Sequence, residues 1–166
     1  QGFQDGCFSY VEGGKGLFSL DLATGNVRTI MNEFASEMKF SPDESMLAFV
    51  DYGRKALQIL DVATGDKIEF EHLYPDLLTD QYGLAWSPDS SKLAFTILLE
   101  ACLTDRATSI IIADIASMSQ KILVNEDERH LGSEKWLDEN RILVSDWSEN
   151  SWHLNPKTGE LTSISQ

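Results

Sequence analysis

Apolar residues in this chain fall in short runs, each closed by a turn signal, and the runs recur. The segments LFSLDLATGNVRTI (17–30), LQILDVATGDKIEF (57–70), IIIADIASMSQKIL (110–123) and SWHLNPKTGELTSI (151–164) align on one another. Their matching positions are Asp21, Asp61, Asp114 and Asn155, which stand 40, 53 and 41 residues apart. A second anchor precedes the first in three of the four: MKFSPDESMLAFVD, LAWSPDSSKLAFTI and EKWLDENRILVSDW. Near the N-terminus only its tail survives, as CFSYVE, so the leading strand of that unit would fall at or before Gln1. Recurrence at a near-fixed spacing of about 40 residues marks a repeat architecture.

Each unit reads as four strands. KFSPD predicts a short strand running into a turn, because Pro42 and Pro88 fix φ near −65° and Asp43 and Asp89 suit turn positions. LAFV and LAFT are wholly apolar, as expected of strands covered on both faces. The third strand ends in D-x-A-T-G. There the Asp or Asn side chain accepts from backbone N–H groups, and Gly25, Gly65 and Gly159 supply a positive φ. KIEF, KILV and ELTSI give the fourth strand. No helical period persists, since the best candidate, SEMKFSPDESM, is broken by Pro42. The prediction is an all-β fold in one domain. It has about four four-stranded antiparallel blades of a β-propeller, in units spanning roughly 1–32, 33–72, 73–125 and 126–166, the first incomplete. The added length of the third unit is read as a loop insertion between Ile97 and Thr108.

The phrases SPDESMLAF and SPDSSKLAF, each followed by an apolar strand and D-x-A-T-G, resemble the TolB-like (WD-type) propeller repeat, written W-S-P-D-G-x-x-L-A-F. The second and third units match well, over about 38–70 and 84–124. The fourth matches less well, with WLDEN in place of WSPD. The resemblance implies a fold and says little of function, because such propellers host many roles. Its members serve as periplasmic scaffolds, as gating domains of serine peptidases and as binding domains, and a few relatives are sugar-acid lyases that hold a metal through His. Rings of this kind usually have six or more blades. Four units therefore imply either a piece of a longer propeller or a short form that closes by self-association. The resemblance also implies a periplasmic or extracellular protein, while the cytoplasm stays open.

Charge narrows the partners. Thirteen Lys and Arg against 27 Asp and Glu give a net charge of −14, unsuited to nucleic acid or an anionic membrane. No apolar run reaches the roughly 18 residues that would span a bilayer. The two cysteines, Cys7 and Cys102, form no C-x-x-C and have no nearby His; they read as separate thiols, with a disulfide left open.

Candidate chemistry is sparse. No G-x-S-x-G elbow is present, and EGGKG (12–16) lacks the spacing of a phosphate loop and reads as a hairpin loop. Of the three histidines, His153 falls within a strand, while His72 and His130 lie between units beside acidic residues that match no metal-site spacing. Asp21, Asp61 and Asp114 recur once per unit, which assigns them to turn capping. The expectation is therefore a non-enzymatic module with no catalytic residue, cofactor or metal. Binding is sought where the repeat is broken: in EHLYPDLLTDQYG (71–83) with His72, Tyr74 and Tyr82, in ILLEACLTDRAT (97–108) with Arg106, and in DWSENSW with Trp147 and Trp152. Aromatic and Arg residues on connecting loops make good anchors for a protein partner or small ligand. The alternative reading is the propeller portion of a larger enzyme, either a serine peptidase or a metal-dependent lyase.

Overall fold

The computed structural model describes residues 4–5, 8–9, 17–32, 35–51, 56–77, 79–99 and 107–164. Sixteen strands follow one another, and among the described residues there is no helix. The first unit contributes β1 (Gln4–Asp5), β2 (Phe8–Ser9), β3 (Leu17–Leu20) and β4 (Val27–Met31). The second contributes β5 (Ala35–Phe40), β6 (Met46–Asp51), β7 (Ala56–Asp61) and β8 (Lys67–Glu69). The third contributes β9 (Asp80–Trp86), β10 (Lys92–Leu99), β11 (Ala107–Asp114) and β12 (Ser119–Asp127). The fourth contributes β13 (Gly132–Asp138), β14 (Arg141–Ser145), β15 (Ser151–Leu154) and β16 (Leu161–Ser163). Units two to four are each a four-stranded antiparallel meander in sequence order.

Two expectations about the units change. In the first unit a two-residue strand, β1, precedes β2 and pairs with it, and this pair is separate from the β3–β4 pair. In the third unit the two ends of the insertion, 97–99 and 107–108, are strand rather than loop. Ile97, Leu98 and Leu99 pair in register with Ser109, Thr108 and Ala107. Ile97 and Leu99 are buried against the second unit, because their apolar side chains continue the alternation set by Leu93 and Phe95.

That alternation builds the seams. On β10, Leu93, Phe95, Ile97 and Leu99 face the second unit and join a core with Val50, Leu57, Ile59 and Trp86. Ala94 faces the fourth unit, where Ile110, Ile112, Trp136, Ile142, Val144 and Leu154 form the next core. Each fully buried aliphatic or aromatic side chain stabilises the stack by about 1.5–3 kcal/mol. No blade can do this alone, since each sheet has two apolar faces.

The turns behave as the repeat implies. Asp21 and Asp61 accept from the backbone N–H of Thr24 and Thr64, Asp114 from Ser117, and Asn155 from Lys157 and Thr158. In the S-P-D turns, Ser41 Oγ donates to Asp43 and Ser87 Oγ to Asp89, both at 2.6 Å. Glu44 (φ 60°) and Ser90 (φ 62°) occupy the left-handed position for which the repeat pattern writes Gly. Met118 (φ 53°) does the same where the other units carry Gly25, Gly65 and Gly159.

Antiparallel meanders send their connections alternately to the two ends of the stack. The S-P-D and D-x-A-T-G turns share one end, here the turn face. The segments 70–79, 128–131 and 146–150 share the other, the loop face. Phe18, Leu20 and Val27 stand 51%, 56% and 66% exposed on β3 and β4.

Candidate functional site

At the loop face, the seam between the third and fourth units is narrow near the start of β9. A bulge in the β9–β10 pairing falls at Gly83, between the Ala94–Ala85 and Thr96–Tyr82 pairs. Gly83 adopts φ 67°, and a Cβ there would stand 2.5 Å from the carbonyl oxygen of Ser133 on β13. Ser133 ties the two units together: its N–H donates to Thr96 Oγ1 at 2.9 Å and its hydroxyl donates to the Gly83 carbonyl at 2.5 Å.

Tyr82, next to this bulge, packs in the seam. Burial pushes its hydroxyl pKa up to about 12; Trp147 beside it pulls the other way, while Asp80 and Glu134 add to the rise. Its Oη is buried with no hydrogen bond of ordinary geometry. Trp147 belongs to the 146–150 connection, is 59% exposed, and stacks on His130 with ring centroids 4.3 Å apart and planes 15° from parallel. His130 ends the link from β12 to β13 in a left-handed conformation (φ 59°). Beside it, Arg129 lies over the Trp152 ring, its Cζ 5.4 Å from the centroid. Asp127 fixes that pose by accepting from Arg129 Nε at 2.9 Å and Nη2 at 2.5 Å. The Arg129 hydrogen bond holds the Asp127 carboxyl below its ordinary pKa. Asp146 is also lowered, first by the Asn150 side chain and in smaller part by Arg129.

Two further polar atoms are buried here without partners, His130 Nδ1 and Thr108 Oγ1. Thr108 is fully buried and pairs with Asp127 across β11 and β12. Buried polar groups are paired in the great majority of cases. Thr108 and His130 thus leave unpaired atoms at the seam where Tyr82 meets Trp147.

The six sequence candidates thus separate. Tyr82, Trp147 and Trp152 come together in this seam. His72 and Tyr74 belong to the preceding connection and are engaged there and against the third unit. The Tyr74 N–H donates to His72 Nδ1 at 3.3 Å, which leaves Nε2 to donate to Thr79 Oγ1 at 3.0 Å. Tyr74 Oη donates to Asn125 Oδ1 and accepts from the Ser109 hydroxyl, both at 3.1 Å. Arg106, like Cys7, Cys102 and the EGGKG segment, lies outside the described residues. Arg129, not singled out in the sequence, and His130, weighed there only as a metal ligand, complete the aromatic cluster.

A second concavity, of about 280 Å³, opens on the turn face of the same seam. It is lined by Pro88, Lys92, Trp136, Pro156 and Lys157, among others. Its charges are largely committed: Lys92 pairs with Asp114 at 3.1 Å and Lys157 donates to Asn140 at 2.9 Å. Among the described residues, no three His, Cys, Asp or Glu side chains group as a metal site.

The architecture is that of known propellers. TolB from Acinetobacter baumannii matches over 90% of this chain and 37% of its own, with a TM-score of 0.63 and 15% identity. Porphyromonas gingivalis dipeptidyl peptidase 4 matches over 89% of this chain and 28% of its own, with a TM-score of 0.65 and 13% identity. A Pyrococcus horikoshii acylaminoacyl peptidase matches over 89% and 27%, with a TM-score of 0.60 and 15% identity. At these identities the likeness establishes the fold, a partial TolB-like β-propeller. The chain spans well under half the length of each of the three. No protein-family model and no curated protein sequence matches it.

Proposed function

We propose that this domain is a non-catalytic binding module whose contact surface is the loop face, anchored at the seam between the third and fourth units. One observation carries the reading: Trp147, a large apolar ring, is held 59% exposed by stacking on His130. Exposed aromatics set on rigid elements are what interface anchors look like, because they bring contact area with little ordering cost. Tyr82, Trp152 and Arg129 surround it; Tyr82 and Trp152 stand on strands, and Trp147 and Arg129 two residues beyond a strand end. The seams hold the geometry; the loops present it.

The test compares the wild-type chain with W147A and W152A as affinity baits, beside E139Q on the turn face as a control. Loss of the same retained partner from both tryptophan variants, with E139Q unaffected, supports the reading. Equal retention by all four removes it. A second reading rests on the neighbours: two of the three are peptidases, each matched over less than a third of its length. In that case this chain is the propeller portion of a larger enzyme. A hydrolase domain encoded in the same reading frame would favour it.

A further inference from the structure

We infer that the loop-face seam takes a cationic segment of a partner protein, a stretch of Arg or Lys laid across Trp147; the inference deepens the binding reading and rests on it. The ground is how charge is divided between the two ends of the stack. At the turn face, acids and bases are interspersed and paired, as in Lys92 with Asp114 and Arg141 with Asp138. Lys39, Lys67 and Lys157 also lie on turns or strand ends of that face. At the loop face of the third and fourth units, the described acids include Asp80, Glu126, Glu128, Glu134, Asp146 and Glu149. The described Lys and Arg there are Arg129, which Asp127 holds with both carboxylate oxygens, and Lys135, beside Glu134 on β13. Among the described residues of these two units, the excess of acid over base thus lies at the end that carries the exposed indole.

Two independent features at the same place point to a ligand rather than to a solvated acidic surface. Trp147 supplies an exposed ring of the type that best attracts a cation through its π face. Arg129 over Trp152 shows, a few residues away, the same contact made within the chain. Thr108 Oγ1 and His130 Nδ1 are buried without partners at the same seam. Guanidinium carries several donors and stacks on aromatics, so Arg should be preferred to Lys.

The experiment uses fluorescently labelled short alternating Gly–Arg, Gly–Lys and Gly–Glu peptides, titrated by anisotropy against the whole chain at near-physiological salt. The expected order is Gly–Arg, then Gly–Lys, with Gly–Glu not binding. W147A should weaken Gly–Arg binding about three- to fivefold, the size of an exposed cation–π contact. E128Q/E149Q at the loop face should weaken it by a similar factor, since each exposed pair contributes modestly. E139Q/E160Q at the turn face removes the same two charges and should leave binding unchanged. Equal weakening by the two double variants would overturn the inference, because it would reduce binding to net charge. Gly–Glu binding as well as Gly–Arg would also overturn it. A folded W147A that binds Gly–Arg like wild type would do the same. If the basic peptides fail while W147A still loses a retained protein partner, the cationic class is wrong and the binding surface stands.

Discussion

Gly83→Ala tests whether the seam is held at the point described. Two costs apply. A left-handed φ of 67° disfavours any residue with a Cβ by about 1–2 kcal/mol. The new methyl would also stand 2.5 Å from the Ser133 carbonyl, a backbone atom anchored by Thr96 and by its own hydroxyl bond, so the fourth unit must shift. Overpacking of this kind costs about 1–3 kcal/mol. Against these stands the loss of glycine's unfolded-state freedom, worth about 0.5–1 kcal/mol. The net destabilisation should be about 2–3 kcal/mol. Gly25→Ala is the comparator: φ is 72°, but nothing lies within 4 Å of the added Cβ. It should lose only about 0.5–1 kcal/mol. Urea unfolding followed by tryptophan fluorescence gives both values from midpoints at unchanged slope. Equal losses for the two variants would refute the claim that Gly83 is required by the approach of β9 to β13.

Four further outcomes are expected. Met118→Gly and Glu44→Gly, both exposed at left-handed positions, should each raise stability by about 0.5–1 kcal/mol in the same urea assay. Tyr82, with its hydroxyl raised to about 12 in the folded chain, favours folding below about pH 10, the ordinary tyrosine value; that contribution is lost as pH rises from 10 toward 12. Tyrosinate absorbance should show a late-titrating group that disappears in Y82F. Asp43 and Asp114 are lowered to about 2, Asp43 chiefly by the Ser41 hydroxyl and Asp114 by the Ser117 N–H. Their contribution is present above about pH 4 and lost as pH falls toward 2, so D43N should flatten the acid limb of a stability–pH curve. The exposed Phe18, Leu20 and Val27 should make the chain self-associate; light scattering should give more than a monomer mass for wild type and a smaller mass for F18S/L20S.

The repeat made the fold legible. Asp21, Asp61, Asp114 and Asn155 recur at the same point of each unit because each caps the same turn, and a local hydrogen bond can be read from local residues. The same logic missed the strands at the two ends of 97–108. A hairpin lengthened by paired strands and one lengthened by a loop add the same number of residues, and only the continued alternation through Ile97 and Leu99 tells them apart. Among the site candidates, Tyr82 on β9, Trp152 on β15 and Trp147 in the 146–150 connection come together at one seam. Nothing local separated them from His72, engaged by Thr79 of its own connection, and Tyr74, whose partners Ser109 and Asn125 lie on other strands. The roles of Arg129 and His130 were invisible for a related reason. Their meaning depends on rings supplied by Trp152 and Trp147, about 20 residues away along the chain and adjacent only once the fourth unit folds against the third.

The central claim is that partners meet the loop face of the third and fourth units. Hydroxyl-radical footprinting of the chain with and without its retained partner tests it most directly, because Trp147 (59% exposed) and Met118 (56% exposed) are reactive side chains on opposite ends of the stack. Protection of Trp147 with Met118 unchanged is the predicted result. Protection of Met118 and of the turn-face prolines Pro88 and Pro156, with Trp147 as reactive as in the isolated chain, would contradict it.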